Sequence, residues 1–353
     1  MKEIYRRLEQ CWQQKKTAVL ATIIHVNGSA YRKSGTRCLI SETGEMIGII
    51  SGGCVEEDLF EHAKEVLRTH LPIKLEYDFR WGEDDLWGLG VGCDGIISIW
   101  LESFDPIGQP MQAKRLLNEI AARLSCEKPY YFVSVIESSL KEKFPLGFYL
   151  SSYESPQYYS FMESIAKSCI LKIQLDGVQL TLFVEKVEPM PHLYIIGSGP
   201  DAAMLARKAN ELPWKISVID HREMTLIKHF PHIHHCLIKR TDYQSVNIPP
   251  HSYVVVMTHN LEFDYLALNY LVTLNLSYIG LLGSSRRFTK LKQMLKAGDS
   301  DIKEEGFQVI HSPVGLDIGA ASPEEIIISI LSEILAHKNK KLGEMPCKQK
   351  TCN

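Results

Sequence analysis

Hydrophobic and polar positions in the first half of the chain switch between two spacings. Ile4, Leu8 and Trp12 recur at helical intervals, which predicts a short amphipathic helix over residues 2–15. Helical spacing returns after residue 54, where Val55, Leu59 and Ala63 share one side, and again over 110–124. Runs rich in β-branched and other apolar residues predict the strands, which lie at 17–26, 37–40, 46–50, 73–79, 96–101, 130–137 and 170–187.

The second half of the chain has a more regular alternation. Short apolar runs at 192–196, 215–220, 234–238, 253–258, 278–282 and 307–310 predict buried strands. Helical patterns separate most of them, at 200–211, 262–274, 286–296 and 322–336. The last of these begins with a capping box and a proline at the first helical position, at Ser322-Pro323-Glu324-Glu325. Strands that alternate with helices are typical of a parallel sheet.

These patterns predict an α/β protein with two domains. Glu188-Pro189-Met190-Pro191 is the expected linker, because its two prolines resist continuation of a helix or a sheet. We therefore expect an α+β domain over residues 1–187 and a Rossmann-like, doubly wound parallel sheet over 188–340. The polar, lysine-rich segment 341–353 is expected to be a disordered tail.

The second domain opens with a dinucleotide-binding pattern. A strand runs into Gly197-Ser198-Gly199, a helix follows, and the next strand ends in Asp220 about twenty residues later. Asp220 is therefore a candidate ligand of ribose hydroxyls, and the alternative is an ordinary helix cap or loop acid. The same edge of the sheet is expected to carry His259 and the pair Arg286 and Arg287, which follow other strands. The two arginines are candidates for gripping phosphate, with solvated surface positions as the alternative.

The first domain carries a different candidate site. Ser51-Gly52-Gly53-Cys54 joins an apolar strand to a helix. Adjacent glycines leave backbone N–H groups uncovered, and the start of a helix attracts anions and favours a thiolate. The alternative is a buried cysteine beside a plain turn.

Two further loops add to this site. The loop after the first strand carries Arg32 and Lys33. The segment 88–95 has four glycines around Cys93, and its alternative interpretation is a glycine-rich hairpin or bulge.

Composition narrows the class of protein. The chain has 353 residues with 45% apolar and 23% charged residues, which is ordinary for a globular protein. A net charge of −3 argues against a nucleic-acid or membrane surface as partner. The nine cysteines, an odd number scattered over the chain, favour reduced thiols over a disulfide framework. We find no signal-peptide core and no apolar run of about 18 residues, so we expect a cytoplasmic protein.

Four stretches resemble the xanthine dehydrogenase accessory factor family of the XdhC/CoxI type. They are GSAYRKSGTRCLI at 28–40, GIISGGCVEEDL at 48–59, GVGCDGIISIWLE at 90–102, and the late segments YIIGSGPDAA, VIDHR, THN, GLLGSSRR and SPVGLDIGAASPEEIIISI. The resemblance covers nearly the whole chain. Tyr31 and Asp94 depart from it, since proline and glycine are expected at those positions.

The resemblance implies an accessory role, with no catalytic residue. Such proteins bind and protect the molybdenum cofactor, a molybdopterin with or without a nucleotide extension, while it gains its terminal sulfur. They then pass it to a molybdenum hydroxylase such as xanthine dehydrogenase. By this resemblance a cysteine-desulfurase-type protein is the sulfur donor, and Cys54 contacts the molybdenum. Gly52, Gly53, Glu56, Arg32 and Cys93 would hold the cofactor around it.

Two other hypotheses stay open on the sequence alone. The Rossmann-like unit by itself is compatible with an NAD(P)-dependent oxidoreductase, in which Asp220 favours NAD and His259 is the nearest acid–base candidate. A scaffold that recruits a sulfurtransferase to the hydroxylase is the other. Exposed glycine loops on both domains make a homodimer an expectation as well.

Overall fold

The chain divides into two compact units. The structure is a computed structural model, and it describes residues 1–80, 94–147, 149–150, 165–240, 242–297, 307 and 309–341. Unit 1 is Met1–Pro189 and unit 2 is Met190–Asn353. The predicted tail lies almost entirely outside the described residues, which end at 341.

Unit 1 is built on a five-stranded antiparallel sheet with the order β3-β2-β1-β5-β4. Its strands are β1 (Ala18–Ser29), β2 (Arg37–Ser41), β3 (Met46–Ile47), β4 (Ile73–Asp78) and β5 (Asp94–Phe104). The helices of this unit are α1 (Lys2–Gln14), α2 (Glu56–Thr69) and α3 (Pro110–Ser125).

Alternation along the strands divides the apolar residues between the two faces of this sheet. Val19 and Ala21 pack in one cluster with Leu59 and Ala63 of α2. Leu20 lies in a separate cluster, which contains residues of α1 and α3. The side chains of neighbouring strand residues point to opposite faces, so one strand can be buried on both. The sheet is therefore covered by α2 on one face and by α1 and α3 on the other.

A second, four-stranded antiparallel sheet completes unit 1. Its order is β7-β6-β9-β8. The strands are β6 (Tyr130–Ser138), β7 (Tyr149–Leu150), β8 (Cys169–Leu175) and β9 (Val178–Val187). The sequence predicted one run over 170–187, and the structure divides it at Asp176-Gly177, where both residues have positive φ angles of 48° and 79°.

Unit 2 has a six-stranded parallel sheet with the order β12-β11-β10-β13-β14-β15. Its strands are β10 (His192–Ile196), β11 (Lys215–Asp220), β12 (His234–Leu237), β13 (Tyr253–Val256), β14 (Tyr278–Leu281) and β15 (Ile310–His311). In chain order this is 3-2-1-4-5-6, the doubly wound arrangement of a Rossmann fold. The predicted fold class is thereby confirmed.

Five α-helices of unit 2 and one short 3-10 helix, Tyr243–Ser245, lie within the described residues. The α-helices are α4 (Pro200–Asn210), α5 (Glu223–His229), α6 (Leu261–Leu271), α7 (Ser285–Ala297) and α8 (Pro323–Lys338). The predicted capping box of α8 is present, with Ser322 and Glu325 hydrogen-bonded to each other's backbone N–H groups. Helix α5 was not predicted from the sequence. In the described part of the chain no helix combines the length and apolar character needed to cross a bilayer.

The strand predicted over 46–50 is shorter than expected. β3 stops at Ile47, because Gly48 has a φ of 100° and its Cα lies close to β2. A Cβ on Gly48 would come within 2.5 Å of the carbonyl oxygen of Arg37. The chain therefore leaves the sheet at Gly48 and reaches the SGGC turn as an irregular segment.

Candidate functional site

The turn Ser51–Cys54 lies immediately before α2. Gly52 and Gly53 have φ angles of 95° and 122°, a region that side chains other than glycine resist. The Ser51 hydroxyl accepts hydrogen bonds from the N–H groups of Cys54 at 3.0 Å and Val55 at 3.2 Å. The helix itself begins at Glu56, so Cys54 precedes the first helical turn.

The carboxylate of Glu56 occupies the backbone N–H groups of this turn. It accepts from Ser51 N at 2.9 Å, Gly52 N at 3.3 Å and Gly53 N at 2.9 Å, and from the Ser51 hydroxyl. Burial alone would raise the pKa of Glu56, but these hydrogen bonds outweigh it and lower the pKa to about 2. The amides that the sequence predicted as an anion cradle therefore already hold an internal anion.

Cys54 lies at the edge of a narrow cavity on the outer side of this turn. Cys54 is half-buried and not in a disulfide, and it packs against the apolar cluster that contains residues of α2. The cavity has room for about one water molecule, and apolar residues make up most of its walls, which are Ile23, Ala30, Tyr31, Arg32, Ile50, Ser51, Cys54, Phe79 and Ile97. The structure thus places Arg32 near the turn that carries Cys54, as the sequence suggested. Cys93 lies outside the described residues.

A buried charge cluster holds the loop that carries Tyr31 and Arg32. Arg37 donates two hydrogen bonds to the carboxylate of Glu185, at 3.0 and 2.6 Å, and Arg123 donates two more, at 2.7 and 2.8 Å. Arg37 also donates to the carbonyl of Gly35 at 3.0 Å. Burial would raise the pKa of Glu185, but the two guanidinium groups lower it to about 2. This cluster ties β2, α3 and β9 to the end of the loop.

In unit 2 the turn after β10 packs tightly on the neighbouring strand. Gly197 has a φ of 117°, and a Cβ there would lie 2.6 Å from the carbonyl oxygen of Met257. Gly199 is the N-cap residue of α4 and gives no side-chain hydrogen bond to the first N–H groups of this helix, which begins at Pro200. His259 lies beside this turn, with its Nε2 3.4 Å from an oxygen of Asp201.

Asp220 lies at the end of β11 and lines a cleft of about 200 Å³. The backbone N–H and the guanidinium of Arg222 donate to its carboxylate at 2.9, 3.0 and 2.8 Å. Burial would raise the pKa of Asp220, and the hydrogen bonds from Arg222 lower it overall. We call this space the Asp220 cleft; its walls are Gly197, Ile219, Asp220, His221, Arg222, Tyr243, Thr258, Asn260 and Phe263.

A second cleft lies next along the same edge of the sheet. It has a volume of about 440 Å³ and is lined by His259, Gly283 and Arg287, among others. The guanidinium of Arg287 is held by buried Asp264, with Nε 2.9 Å from a carboxylate oxygen. Arg286 is exposed at the start of α7 and does not line this cleft. The structure therefore places the two predicted arginines differently, with Arg287 fixed in the wall and Arg286 in solvent.

Sequence reasoning missed three groups that shape these sites. Arg222 has a local signal, because it follows Asp220 at a spacing of two, and the D-x-R pattern could have indicated it. Asp264 is 23 residues from Arg287, and Glu185 is 148 residues from Arg37. No short-range pattern links such pairs, so only the folded chain reveals them.

The chemistry around Cys54 fits a metal group that brings its own ligands. In the described residues no three His, Cys, Asp or Glu side chains converge as a metal site. Cys54 could therefore supply one soft ligand, beside the cation of Arg32 and the exposed ring of Tyr31. A sulfur-coordinated metal attached to an anionic, planar group suits this set better than a free metal ion.

Family models match two separate stretches of the chain. The family model described as the XdhC and CoxI family matches residues 11–78, and that described as the XdhC Rossmann domain matches residues 193–334. A protein of Bacillus subtilis, described as a probable xanthine dehydrogenase subunit, is 32% identical over 96% of this chain and 99% of its own. The molybdenum cofactor insertion chaperone PaoD of Escherichia coli is 25% identical over 90% of this chain and 83% of its own.

A solved structure extends this similarity to the fold. The crystal structure of a Bacillus halodurans protein described as a xanthine dehydrogenase is 29% identical, covers 96% of each chain and has a TM-score of 0.74. With two matching family models and a relative aligned over nearly its whole length, the chain belongs to the XdhC and CoxI family.

Proposed function

We propose that this protein binds the molybdenum cofactor and delivers it to a molybdenum hydroxylase of the xanthine dehydrogenase type. The names of two relatives support this role, since one is a probable component of xanthine dehydrogenase and the other inserts this cofactor. The observation that carries the proposal is the partly exposed thiol of Cys54, on a glycine turn, with Arg32 lining the same cavity.

The turn and the neighbouring loop have separate tasks in this proposal. Cys54 contacts the molybdenum, and a thiolate suits such a sulfur-rich metal centre. Arg32 and Lys33 offset the negative charge of the phosphate. When bound, the cofactor supplies the oxygen-transfer chemistry of the client enzyme, so this chain needs to hold it and shield it from water. A cysteine-desulfurase-type donor provides the terminal sulfur while the cargo is held.

Unit 2 would hold the nucleotide extension of the cofactor. Its support is the Asp220 cleft beside the Gly197 turn, at the edge where doubly wound sheets bind nucleotides. The alternative, an NAD(P)-dependent oxidoreductase, would need a proton donor or acceptor at the substrate, and His259 is the candidate on this edge. Turnover of NADH with a carbonyl substrate would favour that alternative.

The test compares two cysteine variants purified without oxygen from a host that makes the cofactor. Cys54→Ala should carry several-fold less molybdenum per protein than the wild type, as measured by elemental mass spectrometry. Cys169→Ala is the matched control, because Cys169 is also partly exposed and free but lies on β8. Equal molybdenum content in the wild type and Cys54→Ala would contradict the role given to Cys54.

A further inference from the structure

Tyr31 is a large aromatic residue that the fold leaves in solvent. Its side chain is 59% exposed, although it lies in a loop whose end is fixed by the buried Glu185 cluster. Arg37, which belongs to that cluster, donates to the carbonyl of Gly35, four residues after Tyr31. A single exposed aromatic residue is ordinary on a protein surface. Tyr31 differs in its neighbours, because Arg32 and Cys54 line the same cavity.

The position of the ring is set by two contacts. Atoms along one edge of the ring lie 3.7–3.9 Å from the place where a Cβ on Gly52 would be. The guanidinium carbon of Arg32 lies 4.9 Å from the ring centroid, in a cation–π arrangement. An aromatic ring has two faces, and one guanidinium covers only one of them. Since Tyr31 is 59% exposed, the ring keeps solvent-facing surface for a planar group.

The size of the neighbouring cavity decides where a ligand can lie. Tyr31 and Arg32 line that cavity together with Cys54, but it holds only about one water molecule. A fused ring therefore cannot enter between Tyr31 and Cys54. It could instead lie against the exposed part of the Tyr31 ring, next to Gly52.

We propose that Tyr31 stacks on the planar pterin ring of the cargo while Arg32 pairs with the anionic group attached to it. The ligand class is a flat, fused nitrogen heterocycle that carries phosphate or carboxylate. This inference rests on the proposed function and adds to it the residue that recognises the organic part of the cargo. Stacking of a heterocycle on an aromatic side chain is tolerant of ring substituents, which suits a carrier.

The probe is 6-carboxypterin, which is planar, anionic and fluorescent. Full-length protein without molybdenum is titrated into the pterin, and quenching of the pterin fluorescence reports stacking. Tyr31→Ala should weaken binding about tenfold, whereas Tyr31→Phe keeps the ring and should bind within about twofold of the wild type. Arg32→Gln should weaken binding and reduce its dependence on salt. Met111→Ala is the control, because Met111 is 75% exposed on α3 and is no part of this site.

The outcomes separate this inference from the proposed function. If Tyr31→Ala binds the pterin as well as the wild type does, or if the wild type does not quench it at all, the role of Tyr31 is wrong. The molybdenum content of Cys54→Ala is an independent measurement, since that variant keeps the ring and should still bind pterin. If Tyr31→Ala loses pterin binding while Cys54→Ala keeps its molybdenum content, the role proposed for Tyr31 is supported and the role proposed for Cys54 is contradicted.

Discussion

Replacement of Glu185 by glutamine tests the buried charge cluster of unit 1. Glu185→Gln keeps the size of the side chain but removes the charge that Arg37 and Arg123 share, and Arg123 keeps Glu119, 3.2 Å from its Nε, as a carboxylate partner. Loss of one partner from a buried ion pair costs about 3–5 kcal/mol. The pKa of Glu185 gives a similar magnitude, because the difference between 4.5 and about 2 corresponds to about 3 kcal/mol at about 1.36 kcal/mol per pKa unit.

The same pKa sets the pH dependence of this stabilisation. The folded-state pKa of Glu185 lies below its ordinary value, so the unfolded chain binds the proton more tightly. The contribution of Glu185 is therefore complete above about pH 4.5 and disappears as the pH falls towards 2. The wild type and Glu185→Gln should consequently converge in stability at low pH.

Hydrogen exchange with mass spectrometry in increasing urea is the suitable assay, because the two units need not unfold together. Peptides from β2 and β9 should lose protection at lower urea in Glu185→Gln. The melting temperature of unit 1 should fall by about 6–12 °C, at about 2–4 °C per kcal/mol for a unit of this size. Glu211→Gln, in an exposed pair with Lys208, is the control and should change stability by under about 0.5 kcal/mol. A loss below about 1 kcal/mol in Glu185→Gln would refute the reasoning.

Two further predictions concern a glycine and an acid. Gly35→Ala should lower the free energy of unfolding in urea by about 2 kcal/mol or more, because at a φ of 87° the new Cβ would lie 2.6 Å from Glu185. Gly177→Ala is the control, because Gly177 has a similar φ of 79° but open space around it. This variant should lose about 1 kcal/mol. Equal losses in the two variants would show that contact with Glu185 is unimportant. Asp220→Asn should weaken binding of NAD⁺, AMP or CMP about tenfold in calorimetry, since the amide is a poorer acceptor for ribose hydroxyls. If Asp220→Asn binds the tightest of these nucleotides as well as the wild type does, Asp220 does not contribute to nucleotide binding.

Local patterns predicted most of the fold. The Rossmann unit follows from the strand, glycine turn, helix and acid at 192–220, and the start of α8 follows from its capping box, because both depend on residues close in sequence. Helix α5 was missed because its seven residues show too few turns for a periodic signal.

The candidate sites were predictable only in part. The sequence analysis grouped Arg32 with the turn of Gly52, Gly53 and Cys54 around one ligand, and in the structure Arg32 and Cys54 line the same cavity. It did not show that Glu56 binds the turn amides, because the approach of a side chain to a backbone depends on the irregular path after Gly48. The anchoring of the loop by Glu185 joins residues from different sheets, and neither composition nor periodicity carries that information.

The carboxylate of Glu56 satisfies the backbone N–H groups of the glycine turn without a bound ligand. A guest that uses those amides has to expel a side chain that stays ionised at physiological pH and remains tethered nearby as a competitor. Such competition lowers the net affinity and shortens the residence time, because the tethered carboxylate recaptures the amides as soon as the guest loosens. Under the proposed function, faster release of the guest would favour its transfer to the recipient enzyme.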